Sequence, residues 1–513
     1  MRPFFLCSVV LPPLVLLSAA LRARSLPAAA AARLSATATS LALGAAVASA
    51  VLLLILGPLT ARWSPASADA IVGLGVRFDL VAAVMSVLVT FLGRAVVGFS
   101  RSYLAGDPGQ ARFFSWMGLT LSAVLTLVVA GNLLLFFAAW LATSLCLHRL
   151  LLHYPDRAGA VFSARKKFVV SRLGDLCLIG ALALTYRAYG TWEFDALFAA
   201  AASGHTAPLP AIAACLAGGA ALKSAQFPFH SWLPDTMETP TPVSAFMHAG
   251  IVNAGGFLVI RLAPLFVHAP GALTLLAVLG TVTAAFGAVV MLAQPSVKRA
   301  LAYSTVAQMG FMLLQCGVGA FALALLHLVA HSLYKAHAFL HAGSTVGLTP
   351  RAARPLNTAA LALGILTAAL LVTCASTALA VVVPHTESGF DVFNLILVLA
   401  LGYGLARLWS VVPRGAVAVR AVFAAGGIGL ASLALHMGSR LLFGHLPAPT
   451  PAPWVLAFSA IVFVALFFFQ ALLWRANAHP LGRALYVHAL NGFYVGTIAN
   501  RLLNRLWPRT AAR

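Results

Sequence analysis

An all-α polytopic membrane protein is what this sequence predicts, and three observations carry that reading. Of its 513 residues 61% are hydrophobic and 9% charged, with a mean hydropathy of +0.96; a soluble chain of this length needs far more charge to cover its surface. Apolar runs of about 20 residues recur along the whole chain, each long enough to cross a bilayer core as a helix. A barrel would show alternating segments of about ten residues instead, so helices must satisfy the backbone in lipid.

The runs give about 15 spans: 4–21, 36–59, 79–99, 113–130, 132–152, 168–188, 208–227, 241–266, 271–293, 299–318, 320–346, 357–383, 391–412, 421–443 and 454–474. The net charge of +22 suggests nucleic acid until its placement is read. Alternate loops hold Arg22, Arg24 and Arg33; Arg101 and Arg112; Arg149, Arg157, Arg165, Lys166 and Lys167; Lys298 and Arg299; Arg351 and Arg354; Arg414 and Arg420; Arg475 and Arg483. The other set is poorer in cations and holds Asp69, Glu193, Asp195, Glu387 and Asp391. By the positive-inside rule the cation-rich set, including a 156–167 loop, is cytoplasmic. That places the N-terminus outside and the C-terminus in the cytoplasm of a bacterial inner membrane. The partner implied by the basic excess is the lipid bilayer, not nucleic acid. Residues 1–32 have the look of a cleaved signal, but arginines after the apolar run argue for a first transmembrane helix.

The six cysteines lie in apolar runs without metal or disulfide spacing, and no dinucleotide fingerprint, P-loop or zinc-spaced cluster occurs. The chain is therefore expected to be a transporter subunit with no cofactor and no catalytic chemistry of its own. Ionisable groups inside the membrane carry the function instead. A lysine at the centre of a helix costs about 2.5–3.5 kcal/mol on insertion scales and persists mainly where it faces water or a partner. Burial disfavours an ammonium, which suits proton exchange. Lys223 follows an apolar stretch, and Pro228 cannot donate to the carbonyl of Ser224, so a helix breaks beside it. Broken helices at the midplane mark ion sites in transporters; snorkelling to an interface is the alternative.

In "HLVAHSLYKAHAFLH", His327, His331 and Lys335 fall four apart on one helix face. With His337 and His341 they fill an arc of about 160° over about 21 Å, a spacing that needs bridging waters. Histidine titrates near neutrality, which suits a relay. Arg172 and Asp175 are three apart, as an intrahelical pair or a purely structural one. His248 lies in the helix after the break, and His230 within the break motif. Asp235 and Glu238 either gate that mouth or cap a helix.

The stretches "KSAQFPFHSWLPDTMETPTPVSAFMHAG", "SVKRALAYSTVAQMGFM" and "HLVAHSLYKAHAFL" resemble the antiporter-like membrane subunits of respiratory complex I and of multisubunit cation/proton antiporters. The resemblance covers roughly residues 70–350 well and the flanks loosely. It implies two inverted five-helix repeats, each with a broken helix, and a proton path along buried lysines, histidines and carboxylates. On this chain Lys223 matches the broken-helix lysine, His248 the following histidine, His327, His331 and Lys335 the central relay, and Arg172 with Asp175 a family pair. The implied division is N-terminal helices over 1–112, repeats over 113–268 and 271–412, further helices over 413–479, and a cytoplasmic amphipathic helix over 480–513.

Departures from that pattern point to one branch. Where complex I relatives carry a tryptophan–glutamate pair, this chain reads Trp140–Leu141, and no lysine follows Lys335. A long lateral helix and extra span are expected to be missing. These features, with "METPTPVSAFMHAGIVNAGGFLVIRLAPL" and "HALNGFYVGTIANRLLNRL", resemble the membrane subunit of the DAB inorganic-carbon accumulation complex. That resemblance implies a large cytoplasmic zinc-dependent, carbonic-anhydrase-like partner, with zinc on the partner. It also implies that ion flow energises carbon dioxide hydration. Protons are expected to enter from outside towards His327, His331 and Lys335, pass Lys223 near His248, and leave to the cytoplasm, with Asp175 as the candidate counter-ion. Two alternatives stand: a proton-pumping subunit of NADH:quinone oxidoreductase or of a cation/proton antiporter, and an anchoring scaffold. A continuous helix over 481–507, with Leu490, Tyr494, Ile498 and Leu502 on one side, is the expected docking element; lying in the headgroup layer is its alternative.

Overall fold

The computed structural model describes residues 1–63, 73–345, 358–382, 390–411, 416–473 and 480–507. Helices α1 (Arg2–Ala23) and α2 (Ala28–Leu56) lead into a hairpin of β1 (Leu59–Trp63) and β2 (Leu74–Phe78). Next come α3 (Leu80–Tyr103), α4 (Gln110–Val129), α5 (Leu133–Leu151), α6 (Ala158–Tyr189), α7 (Phe194–Ala202) and α8 (Leu209–Lys223). Short α9 (Trp232–Asp235) precedes α10 (Thr241–Ala249), α11 (Ala254–Arg261) and α12 (Ala263–Phe266). The remainder is α13 (Pro270–Ala293), α14 (Val297–Gly317), α15 (Phe321–Leu340), α16 (Thr358–Val382), α17 (Phe390–Val411), α18 (Ala416–Phe443), α19 (Pro453–Leu473), α20 (Pro480–Leu490) and α21 (Val495–Leu506).

Twelve helices among the described residues are long and apolar enough to cross a membrane, against the fifteen expected. The other three expected spans fall on α8, which stops short at its break, and on α14 and α15. Lys298, Arg299, Gln308 and Gln315 lower the hydropathy of α14; His327, His331, Lys335 and His337 do so for α15. Polar groups of this kind belong inside a bundle. Burial agrees: 89% of the Thr241–Arg261 span is buried against 17% of the Pro453–Gln470 span, so the polar centre sits around α10 and α11.

Small residues allow the closest helix approaches, as in membrane packing generally. A Cβ at Gly280 of α13 would lie 2.5 Å from the carbonyl oxygen of Gly310 on α14. At Gly255 of α11 it would lie 2.3 Å from the carbonyl oxygen of Ala220 and 2.4 Å from Ser224 Oγ, so only glycine fits against the end of α8.

The hairpin, for which the sequence reading had only a loop, pairs Leu59 with Phe78 through Trp63 with Leu74. It bridges to Ala130 through Val76. Asp79, just outside α3, caps that helix by accepting from Ala82 N and pairs with Arg261 at 2.6 Å and Arg77 at 3.1 Å; Arg77 also pairs with Asp195. Burial pushes the Asp79 carboxyl up, but Arg261, the capping amide and Arg77 outweigh it and hold it at about 2. Its folded value lies below the unfolded one, so the clamp is fully present above about pH 4 and lost as pH falls through about 2. Asp79→Asn keeps the cap but leaves Arg261 buried without its charge partner, and is expected to cost about 3 kcal/mol. Thermal melting of the detergent-solubilised protein, wild type against variant, checks this.

Three expectations need correcting. The 156–167 loop is really 152–157: α6 begins at Ala158 and buries both Lys166 and Lys167. No second broken helix interrupts 271–412 among the described residues; α16, whose sequence has no proline, runs through unbroken. The single C-terminal helix is two, because Gly492, Phe493 and Tyr494 adopt left-handed conformations at an Asn491-Gly492 turn pair.

Candidate ion-conducting site

The break beside Lys223 is built locally. Helix α8 ends on Lys223, Ala225 takes a left-handed conformation, and Pro228 follows. Ser224 Oγ donates to the carbonyl of Val252 at 2.8 Å, tying the broken end to the segment opposite. Lys223 thus sits where a helix C-terminus offers about half a negative charge. Its side chain is 6% exposed, Nζ lies 4.5 Å from the centre of the Trp140 ring, and it has no hydrogen-bond partner.

One turn along α5 from Trp140, Ser144 gathers the cations of α6. Lys167 Nζ donates to its carbonyl at 2.7 Å and to Oγ at 2.9 Å, and Arg172 donates to Oγ at 3.4 Å. Arg172 and Asp175 come within 2.7 Å, as their spacing implied. That contact is not aligned as a hydrogen bond, since both Asp175 oxygens lack a donor. Asp175 is within electrostatic reach of Lys223 but is held by Arg172. Lys167 was missed as a site residue because it was read as a loop charge; its place on α6, about two turns before Asp175, was the available signal.

A second break lies opposite. The backbone leaves α-helical geometry at Gly250, and residues Ile251–Asn253 form a turn of 3-10 helix between α10 and α11. Asn253 Nδ2 donates to Ala249 O and to Ser332 Oγ, both at 2.8 Å. A cavity of about 30 Å³ touches Lys223, Gly250, Asn253 and Ser332. That is room for one water, in a lining that is otherwise mostly apolar. It joins the α5–α6–α8 cluster to α15.

On α15, His331 Nε2 meets the carbonyl of His248 at 3.2 Å, and the rings of His327 and His331 lie 6.0 Å apart. His248 is fully buried, stacks on Phe339 at 4.4 Å, and has no hydrogen-bond partner for either ring nitrogen. His327 is gripped between Gln308 and Gln315 of α14, each side-chain amide 2.7 Å from a ring nitrogen. An amide presents either an oxygen or an NH₂ by turning over, so both partners can follow a change of imidazole protonation. Lys335 is fully buried and donates to the carbonyl of Leu301 at 3.0 Å.

The expected five-residue face does not hold together. His337 and His341 are exposed and stack on each other at 5.5 Å. They lie at the opposite edge of the arc of about 160° from Lys335, so the helix cannot bury both edges at once. His230 is buried among Phe227, Phe286 and Tyr303, within electrostatic reach of Lys166 rather than of Lys223 or Lys335. Asp235 pairs with Lys166 at 2.7 Å, and Lys166 also donates to Asn500 of α21 at 2.7 Å. Glu238 is exposed, its side chain against Gly159.

Buried lysines and histidines strung across helices that break within the membrane define the class of antiporter-like membrane subunits. The chain belongs to the NADH:quinone oxidoreductase/Mrp antiporter transmembrane family, which matches residues 130–417; the N-terminal family of complex I chain 5 matches residues 63–114. The chain is 37% identical over 462 residues to the probable inorganic carbon transporter subunit DabB2 of Halothiobacillus neapolitanus, covering 86% of this chain and 82% of that protein. It is 46% identical over 266 residues to the probable inorganic carbon transporter subunit DabB of Hydrogenovibrio crunogenus, covering 51% of each. With NAD(P)H-quinone oxidoreductase chain 5 of a Picosynechococcus species it shares 38% identity over 56% of this chain and 44% of the other. In fold it is similar to a chain of the Mrp complex from a Dietzia species, with a TM-score of 0.65 at 23% identity over 99% of this chain and 60% of that chain. A chain of the archaeal membrane-bound sulfane sulfur reductase gives 0.61 at 18% identity over 98% and 100%.

Proposed function

We propose that this chain is the proton-conducting membrane subunit of an inorganic-carbon uptake complex. The observation that carries the carbon reading is the reach of the similarity. It extends over 86% of this chain and 82% of one carbon transporter subunit, and at 46% identity over 51% of another, against 38% identity over 56% of this chain and 44% of the quinone oxidoreductase chain. Protons enter from the outer half at His327, held by the α14 glutamines, and pass His331, Lys335 and His248. The water-sized cavity at Asn253 and Ser332 hands them to Lys223, and Asp175 and Lys167, beside the fixed charge of Arg172, pass them to the cytoplasm. Their downhill flow drives carbon dioxide hydration in a large zinc-bearing, carbonic-anhydrase-like partner on the cytoplasmic side. The chain itself holds no cofactor and spans the bacterial inner membrane with its N-terminus outside.

Affinity purification of the chain from its native membrane is the test. One large cytoplasmic zinc protein is expected to come with it, in stoichiometric amount. Quinone-reducing subunits in its place would remove the carbon reading and favour a respiratory proton pump, the second reading that the quinone oxidoreductase relatives support.

A further inference from the structure

The charges around Lys223 do not balance. Lys167, Arg172 and Lys223 are mutual electrostatic neighbours, and among the described residues Asp175 is the one carboxylate within their reach. Lys167 and Lys223 are 2% and 6% exposed. Arg172, whose side chain is 30% exposed, pairs with Asp175, and the helix end at Lys223 offsets about half a charge. With both buried lysines protonated, more than one positive charge is left where water is largely excluded. A buried charge without a partner is costly, and proteins answer it with a counter-ion or with neutralisation. The donors point to a counter-ion. Lys223 Nζ and Arg172 Nε are both buried without an acceptor, and Lys167 and Arg172 converge on Ser144, one turn along α5 from the Trp140 that covers Lys223. The Trp140 face covers Lys223 on one side, the small cavity at Gly250, Asn253 and Ser332 touches it on another, and Arg172 of α6 lies within electrostatic reach. His148, one turn further along α5, adds an unpartnered buried Nδ1.

We propose that the space between Lys167, Arg172 and Lys223 binds one small monovalent anion, of the size of chloride or of a one-carbon oxyanion. Lys223 Nζ and Arg172 Nε donate to it, and Lys167 completes the cationic wall. Anion occupancy is thereby linked to the charge on Lys223: the anion binds more tightly to the ammonium form, and by reciprocity holds a proton there. The inference goes beyond the transport reading and stands without it, because it rests on the count of buried charges.

The test is equilibrium binding to the purified full chain in detergent, with no gradient and no partner. Radiolabelled chloride and radiolabelled bicarbonate are the probes, at ionic strength held constant with gluconate. Saturable binding of one anion per chain is expected for at least one probe, with the other competing for the same site if both bind. Lys223→Met is expected to weaken it at least tenfold, and Lys223→Arg, which keeps the charge, to retain it. Arg172→Gln is the second variant, expected to weaken binding as well, should Lys223→Met fail to fold. The relative affinity of the two probes tells which anion occupies the site in the cell. Absence of saturable binding for both probes, or binding undiminished in Lys223→Met or in Arg172→Gln, overturns the proposal. Failure of proton transport alone leaves it untouched, since nothing is transported in this assay.

Discussion

Lys223→Ala is expected to reduce coupled transport by about 100-fold or more, the scale on which loss of a proton-transferring group acts, while the protein still inserts and assembles. The variant removes a titratable site at the end of α8 but no span, and the contacts that hold the break stay in place. These are the Ser224–Val252 hydrogen bond and the close packing at Gly255. Lys335→Ala is expected to do the same from the other end of the path, where the lysine is fully buried and donates only to a carbonyl. Arginine should rescue neither, because a guanidinium does not release its proton at accessible pH. Carbon-dependent growth of a carbonic-anhydrase-deficient host, compared at equal membrane protein levels, measures the effect. Growth at wild-type rate in either alanine variant excludes that residue from the path.

Removing residues 480–513 is expected to have the second largest effect, for a reason the C-terminal contacts make concrete. Asn500 accepts from Lys166, the ammonium that pairs with Asp235 in the segment after the break. Arg165 lies over the ring of Trp507, and Gln294 donates to Leu490 O. Helix α21 buries Leu503 while Ile498, Leu502, Arg501 and Arg505 stay exposed, giving an apolar strip beside a basic one. Such a helix seats itself at a membrane–water interface, and under the proposed function its basic strip is the surface offered to the partner. Truncation is therefore expected to cut recovery of the zinc partner at least tenfold and to abolish growth at ambient carbon dioxide. Full recovery of the partner with the truncated chain means that docking uses another surface. Asn500→Ala separates the local contact from the whole segment: it should weaken transport without releasing the partner.

The sequence made the helical architecture legible because lipid leaves the backbone few choices; among the described residues each apolar run falls on helix, though α2 begins eight and α6 ten residues before its run. It located the break beside Lys223 for the right physical reason, a proline after a buried lysine. It did not locate the second break at Gly250, because that glycine shares its apolar run with Gly255 and Gly256 and no proline marks the place. Four-residue spacing brought His327, His331 and Lys335 to one buried face. The same periodicity extended too far in taking in His337 and His341, since an arc that wide exceeds what one packed face covers. The partners of these groups were not legible at all. That Gln308 and Gln315 grip His327, that Ser144 collects Lys167 and Arg172, and that Trp140 covers Lys223 are long-range contacts between helices, and spacing within one helix carries no information about them. Lys167 was hidden by a boundary: ten residues assigned to a loop belong to α6, and a loop cation became a buried one.

Proton flux measured directly tests the central claim most sharply. The chain, purified with its partner, is reconstituted into vesicles that enclose a pH-sensitive dye, and a potassium diffusion potential is imposed. Potential-driven acidification is predicted for the wild type, reduced to the rate of empty vesicles in Lys223→Ala and in Lys335→Ala at equal protein content. Wild-type flux in both alanine variants would contradict a path through the buried lysines.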